Sequence, residues 1–166
     1  MGERWVVDAS PLIALSKVGH AGWMVDLAAE VVVPAAVAAE VWAGPPDLAQ
    51  RFLAGGRVTI VPVPQTTAEV ADWALGAGES AALTWAATHP GWTVIVDDLP
   101  ARRCARALGL AHKGTLAVVI LAKLHGLTGS AAAVLHDLRQ VGLRLDDAVI
   151  RAALAATVDE DWPLRR

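Results

Sequence analysis

Two short apolar runs in this sequence each end on an aspartate just ahead of a helix start. Trp5-Val6-Val7-Asp8 leads into Ser10-Pro11, and Thr93-Val94-Ile95-Val96-Asp97 leads into Asp98-Leu99-Pro100. A short unalternating apolar run reads as a strand buried on both faces, and a capping side chain followed by Pro reads as a helix start. Strand, acid, helix, twice over, belongs to layered α/β folds with a mostly parallel sheet, where the carboxyl ends of the strands form the binding edge. The chain between fits the same alternation. Val31 to Val33, stopped by Pro34, predicts a second strand; Val58 to Val63, with Pro62 inside it, predicts an edge strand; Leu110 to His112 predicts a short fifth. A helix is expected to open at Ser10, and others over 35–42, 47–53, 67–75, 79–88, 98–108, 115–125, 130–141 and 146–156, with Gly55-Gly56, Gly76-Ala77-Gly78 and Gly109 as breaks. One domain is expected over 1–158, followed by a polar tail, 159–166, that frays.

Composition narrows the class. At 166 residues, 55% hydrophobic, the chain can bury one sizeable core and is no disordered segment. Its net charge of −3 excludes a generally basic nucleic-acid coat, so any nucleic-acid contact must come from a local patch. The single cysteine, Cys104, excludes a disulfide framework and a cysteine-based zinc site. Leu116 to Ala122, ended by Lys123, is far short of the roughly 20 apolar residues a membrane span needs. The first residues lack the apolar stretch of a secretory signal, so a cytoplasmic location and no membrane partner are expected.

Four positions then stand out. Asp8 and Asp97, with Asp98 adjacent, lie at strand ends; Glu40 and Glu79 lie in helices otherwise rich in Ala and Val. Taken singly, each has an ordinary role: Asp8 and Asp98 as helix caps, Glu40 and Glu79 as solvated positions. Together they favour a site, because clustered carboxylates without matching bases repel one another, and a divalent cation relieves the repulsion. Oxygen-only ligands suit Mg²⁺ or Mn²⁺.

The stretch Val6-Val7-Asp8-Ala9-Ser10-Pro11-Leu12-Ile13-Ala14-Leu15-Ser16-Lys17 resembles the opening of PIN domains, most closely a PIN-like prokaryotic family long without an assigned function and related to VapC-type toxins. The likeness continues through Val33-Pro34, Glu40-Val41, Gly78-Glu79-Ser80, Asp97-Asp98 with Ala101-Arg102, Gly109, Gly114-Thr115 and Gly126-Leu127, over about residues 4 to 128. It implies a three-layer α/β/α domain of roughly five strands with additional C-terminal helices. It also implies a ribonuclease in which metal-activated water cuts RNA at a pocket of Asp8, Glu40, Glu79 and Asp97 or Asp98, with the Ser10 hydroxyl supporting Asp8. A small antitoxin partner and a homodimer are further implications. Two departures from the toxins are Glu79 in place of Asp, and the pair Asp97-Asp98, which leaves open which of the two meets the metal.

For RNA contacts, Arg102 and Arg106 share a helix face after the aspartate pair, Lys113 and Thr115 flank a helix start, and Lys17 lies along the first helix. Against these stands a solvated face, or an Arg102 ion pair that orients an acid. Trp5, Trp42, Trp73 and Trp85 are expected in the core. Competing functions are a non-catalytic PIN-like module that binds RNA or protein and, less favoured, a haloacid-dehalogenase-like phosphatase, where Ser10 stands in place of the second Asp. A receiver-like domain would need its acidic pair on the first strand.

Overall fold

Val6 and Val7 point to opposite faces of their strand, yet both are fully buried. They sit in β1 (Arg4–Val7), the middle of a sheet covered on both sides. The computed structural model describes residues 2–163. Its five strands run in the order β3-β2-β1-β4-β5, every adjacent pair parallel. Trp5 lies opposite Val31 of β2 (Glu30–Pro34) and Thr93 of β4 (Trp92–Ile95). The outer strands are β3 (Thr59–Val61) and the two-residue β5 (His112–Lys113). Parallel neighbours need crossover connections, and the helices provide them.

One face of the sheet packs Trp5, Val7 and Val33 against α1 (Ala9–Lys17), α2 (Trp23–Leu27), α3 (Ala35–Ala43), α4 (Leu48–Ala54), α8 (Thr115–Leu124), α9 (Ala131–Gln140) and α10 (Asp147–Thr157). The other packs Val6, Val32 and Val94 against α5 (Ala68–Ala71), α6 (Ala77–Thr88) and α7 (Leu99–Ala107). This is the expected α/β/α domain, with a wholly parallel sheet. The chain lays β2 and β3 to one side of β1, then returns to lay β4 and β5 on the other. The crevice between the carboxyl ends of β1 and β4 is therefore the switch point where open parallel sheets bind ligands.

Several expectations need correction. The helix expected over 67–75 shortens to α5, and Ala74 takes a positive φ of 50°. The break between the two helices falls earlier than expected, over 72–76: Gly76 is the extended N-cap of α6, which starts at Ala77 and carries Gly78 in its first turn. The short helix α2 has no counterpart among the expected helices. Trp5 is buried, but Trp42 and Trp73 are 50% and 38% exposed rather than core.

The tail is not frayed as far as residue 163. The Glu160 carboxylate caps α9, accepting from Ser130 Oγ at 2.8 Å and from the Ala131 and Ala132 amides at 3.0 and 3.1 Å. Those contacts hold its carboxyl below the ordinary range against the upward pull of burial, which is the larger single influence. Trp162 is buried, and its indole N–H donates to Asp147 at 2.9 Å. Residues 164–166 lie outside the described residues. Among the described residues, no helix is long and apolar enough to cross a membrane.

Candidate acidic site

Asp8 is placed by β1, the most enclosed strand, and its backbone N–H donates to the Ile95 carbonyl of β4 at 3.0 Å. Its side chain is 1% exposed. It occupies the N-cap position of α1 but makes no capping hydrogen bond, and its Oδ1 has no hydrogen-bond partner at all. Capping therefore does not explain Asp8. Nor does the Ser10 hydroxyl support it as expected; Ser10 is exposed and lines a cleft beside the site. A buried, unpartnered carboxylate oxygen is costly and calls for a reason.

The other acids gather around it. Burial, first, and then the nearby Glu79 push the Asp8 carboxyl up to about 7; the Ala9 amide pulls it back, while Glu40 and Asp97 raise it further. Glu40 reaches from α3 to accept from the Gly78 amide at 3.0 Å, satisfying one of the free N–H groups at the start of α6. Glu79, in the first turn of α6, folds back towards Gly76. A Cβ on Gly78 would stand 2.5 Å from Glu40 Oε1 and 3.2 Å from Asp8 Oδ1, so both carboxylates press on one glycine. Gly76 and Gly78 thus also leave space for acids at the start of α6.

The two adjacent aspartates divide their roles. Asp98 caps α7, accepting from the Ala101 amide at 3.0 Å. Asp97 is gripped by Thr115, whose amide donates to Oδ1 at 2.7 Å and whose hydroxyl donates to Oδ2 at 2.6 Å. Thr115 is fully buried, so it holds an acid and does not meet RNA as expected. Thr115→Val is expected to cost about 1.5–3 kcal/mol, the worth of a hydrogen bond to a charged group. It should also loosen Asp97, which chemical denaturation and an activity assay measure together.

The remaining basic candidates separate. Lys113 pairs with Glu3 at 3.4 Å, so its ammonium is engaged by that acid. Arg102 lies beside Gly114, whose Cβ would stand 3.0 Å from Asp97 Oδ1 and 3.3 Å from Arg102 Nη1, yet it forms no ion pair with the aspartate among the described residues. Arg106 is exposed on α7. Lys17 is among the basic residues the sequence points to, and Arg144 is not. Both line a cleft of about 570 Å³ together with Ser10, Glu79, Asp97 and Asp98. Arg144 carries no motif, and only the fold brings it there.

Among the described residues, no group of three or more His, Cys, Asp or Glu side chains stands ready-arranged to hold a metal ion. The outer carboxylates are instead turned to protein donors, Glu40 to an amide and Asp97 to Thr115. The donor set still fits a hard divalent cation. It is all oxygen, it includes one buried oxygen with no partner, and its mutual repulsion is what a cation relieves.

The fold is a doubly wound parallel α/β domain with acids converging at its switch point. A family model described as DUF3368, a PIN domain, matches residues 4–159, and the chain belongs to that family. PIN domains are generally nucleases that use divalent metals. No curated protein matches the chain.

Proposed function

We propose that this protein is a Mg²⁺- or Mn²⁺-dependent ribonuclease that hydrolyses RNA phosphodiester bonds at the acidic site. The observation that carries this reading is Asp8: buried, with one carboxylate oxygen unpartnered, and surrounded by Glu79, Glu40 and Asp97. Asp8, Glu40, Glu79 and Asp97 would hold the cation. Bound there, it would lower the pKa of a water and offset charge on the scissile phosphate. The chain's own contribution is placement. Asp8 is fixed by the rigid end of β1, Asp97 by Thr115, and Glu40 by the start of α6. The cleft gives the phosphodiester access to Glu79 and Asp97 from one side. Water adds to phosphorus, the bond to the 3′ oxygen breaks, and the proton from water ends on the leaving oxygen, so no side-chain nucleophile is consumed.

The test is an RNA panel, structured and unstructured, incubated with Mg²⁺, Mn²⁺ or EDTA. Cleavage is expected with metal only. Glu40→Gln and Asp97→Asn are each expected to lower it by about 10²-fold or more, the usual effect of displacing a preorganised charge. Cleavage that survives both substitutions, or no cleavage of any RNA with either metal, would overturn the reading.

A further inference from the structure

The cleft beside the acids has a second wall that the acidic site does not require. Ser10, Ile13, Ala14 and Lys17 all line it. They fall at helical spacing on one face of α1, so a single stripe leads outward from the acids. Opposite lies the turn that ends α9. Gly142 takes a φ of +103°, and the Leu143 amide donates back to the Leu138 carbonyl at 3.0 Å. That reversal brings Leu143 and Arg144 onto the cleft. The turn is held from behind. Arg139 pairs with Asp147 at the start of α10, and Trp162 bonds the same aspartate.

Two features of this wall point to a ligand. Lys17 and Arg144 are exposed cations with no ion pair or side-chain hydrogen bond among the described residues, though they share the cleft with Glu79 and Asp97. Leu99 lies 57% exposed in the same cleft, near Ile13 and Leu143, where an exposed leucine gains nothing from the fold. Cations flanking an apolar seat match the two halves of a nucleotide. A phosphate takes the charge, and an unstacked base takes the apolar surface.

Resting on the ribonuclease reading above, we propose that Lys17 and Arg144 form a phosphate clamp. It holds one strand of RNA across the cleft, with a splayed base seated on Ile13, Leu99 and Leu143. The C-terminal helical pair α9–α10 is on this account a substrate-positioning element rather than a mere addition to the core. The clamp offsets the repulsion that the carboxylates exert on an approaching polyanion. Because the base must leave its stack to reach the seat, an unpaired strand binds better than a duplex.

The test separates binding from cutting. Fluorescence anisotropy of a labelled single-stranded oligoribonucleotide is followed on the full chain carrying Asp8→Asn, in EDTA, across a salt series. Lys17→Ala and Arg144→Ala are each expected to weaken binding several-fold, and each to reduce the log–log salt slope by about 0.7, the value of one phosphate contact on a single strand. Arg103→Ala, exposed on α7 and off the cleft, should leave both unchanged. Leu99→Ser should weaken binding with no change of slope, and a duplex of the same sequence should bind less tightly. Thermal melting confirms that each variant is folded. The proposal is overturned if the Lys17→Ala/Arg144→Ala double variant binds like its parent with the same slope, if the parent does not bind the strand, or if the duplex binds as well. Metal-dependent cutting by the otherwise native chain is scored separately. Loss of the clamp effect with cutting intact sinks only the clamp, and a clamp effect without cutting sinks only the ribonuclease reading.

Discussion

Asp8→Asn is expected to stabilise the metal-free protein at pH 8 while abolishing its metal response. The folded state raises the Asp8 carboxyl from 3.8 to about 7, through burial first and the surrounding carboxylates second. Between those values the folded chain keeps a proton that the unfolded chain has released. Stability from this group is therefore complete below about pH 4 and is lost as pH rises through about 7. At about 1.4 kcal/mol per unit, the cost at pH 8 is on the order of 4 kcal/mol. Asparagine does not ionise, so its pH profile should lack this loss. At roughly 2–4 °C per kcal/mol for a chain of this size, its Tm in EDTA at pH 8 should exceed wild type by about 10 °C, and the difference should shrink towards pH 4. A divalent cation at a hundred times its Kd narrows the gap, because it binds the ionised wild-type site and adds about 2.7 kcal/mol. Melting curves at pH 5, 6.5 and 8, with EDTA and with Mg²⁺, measure all of this without any substrate. A wild-type Tm in EDTA that does not fall relative to Asp8→Asn between pH 5 and 8 would remove the case for a strained acid at this position.

Such a cost sits where a binding site would put it. The sheet could bury a neutral residue at position 8 with less strain, and its apolar neighbours Val6 and Val7 show what β1 otherwise accommodates. An acid retained there trades stability for charge at the switch point.

The layered fold was readable because its strands are short, apolar and ended by acids or prolines, signals that survive without any knowledge of packing. Elements whose existence depends on tertiary context were not. The helix α2 has five residues and no counterpart among the expected helices, and β5, expected over 110–112, is a two-residue pairing at 112–113 whose position is set by β4 alongside. The tryptophans show the same limit. Hydrophobicity placed Trp42 and Trp73 inside, but burial depends on which way a helix turns, and neighbouring residues do not settle that. Trp162 looked like tail until its partners, Asp147 and Arg151, were brought beside it by α10. For the site, the acids were legible as types in improbable surroundings. Their division of labour was not, since Asp97 and Asp98 are neighbours in sequence and only the Thr115 contacts tell them apart. Arg144 was invisible for the complementary reason. An isolated arginine two residues after a glycine has no pattern, and its relevance comes from its place on the far wall of the cleft.

Gly78→Ala separates site from scaffold most sharply. In an exposed helix interior the exchange gains about 1 kcal/mol from propensity alone. Here the new methyl would stand 2.5 Å from Glu40 Oε1, the far end of an exposed, flexible side chain that can swing away at little cost to the fold. It would also stand 3.2 Å from Asp8 Oδ1, a buried atom that must give by a few tenths of an ångström. The gain and the crowding roughly offset, so the melting temperature should stay close to wild type. Function should not. Expelling Glu40 removes one carboxylate of the proposed site and the contact that ties α3 to the start of α6. A displacement of about 1 Å at a catalytic group costs on the order of 10² in rate. Metal-dependent cleavage should therefore fall about a hundredfold or more with a folded, wild-type-like melting curve, and Mg²⁺ should raise the Tm less than it does in wild type. Full activity in a folded Gly78→Ala chain would mean that Glu40 takes no part, leaving Asp8, Glu79 and Asp97 as the working set. A lost fold would mean that the close approach at Gly78 is structural first, with Glu40 serving as the distant cap of α6.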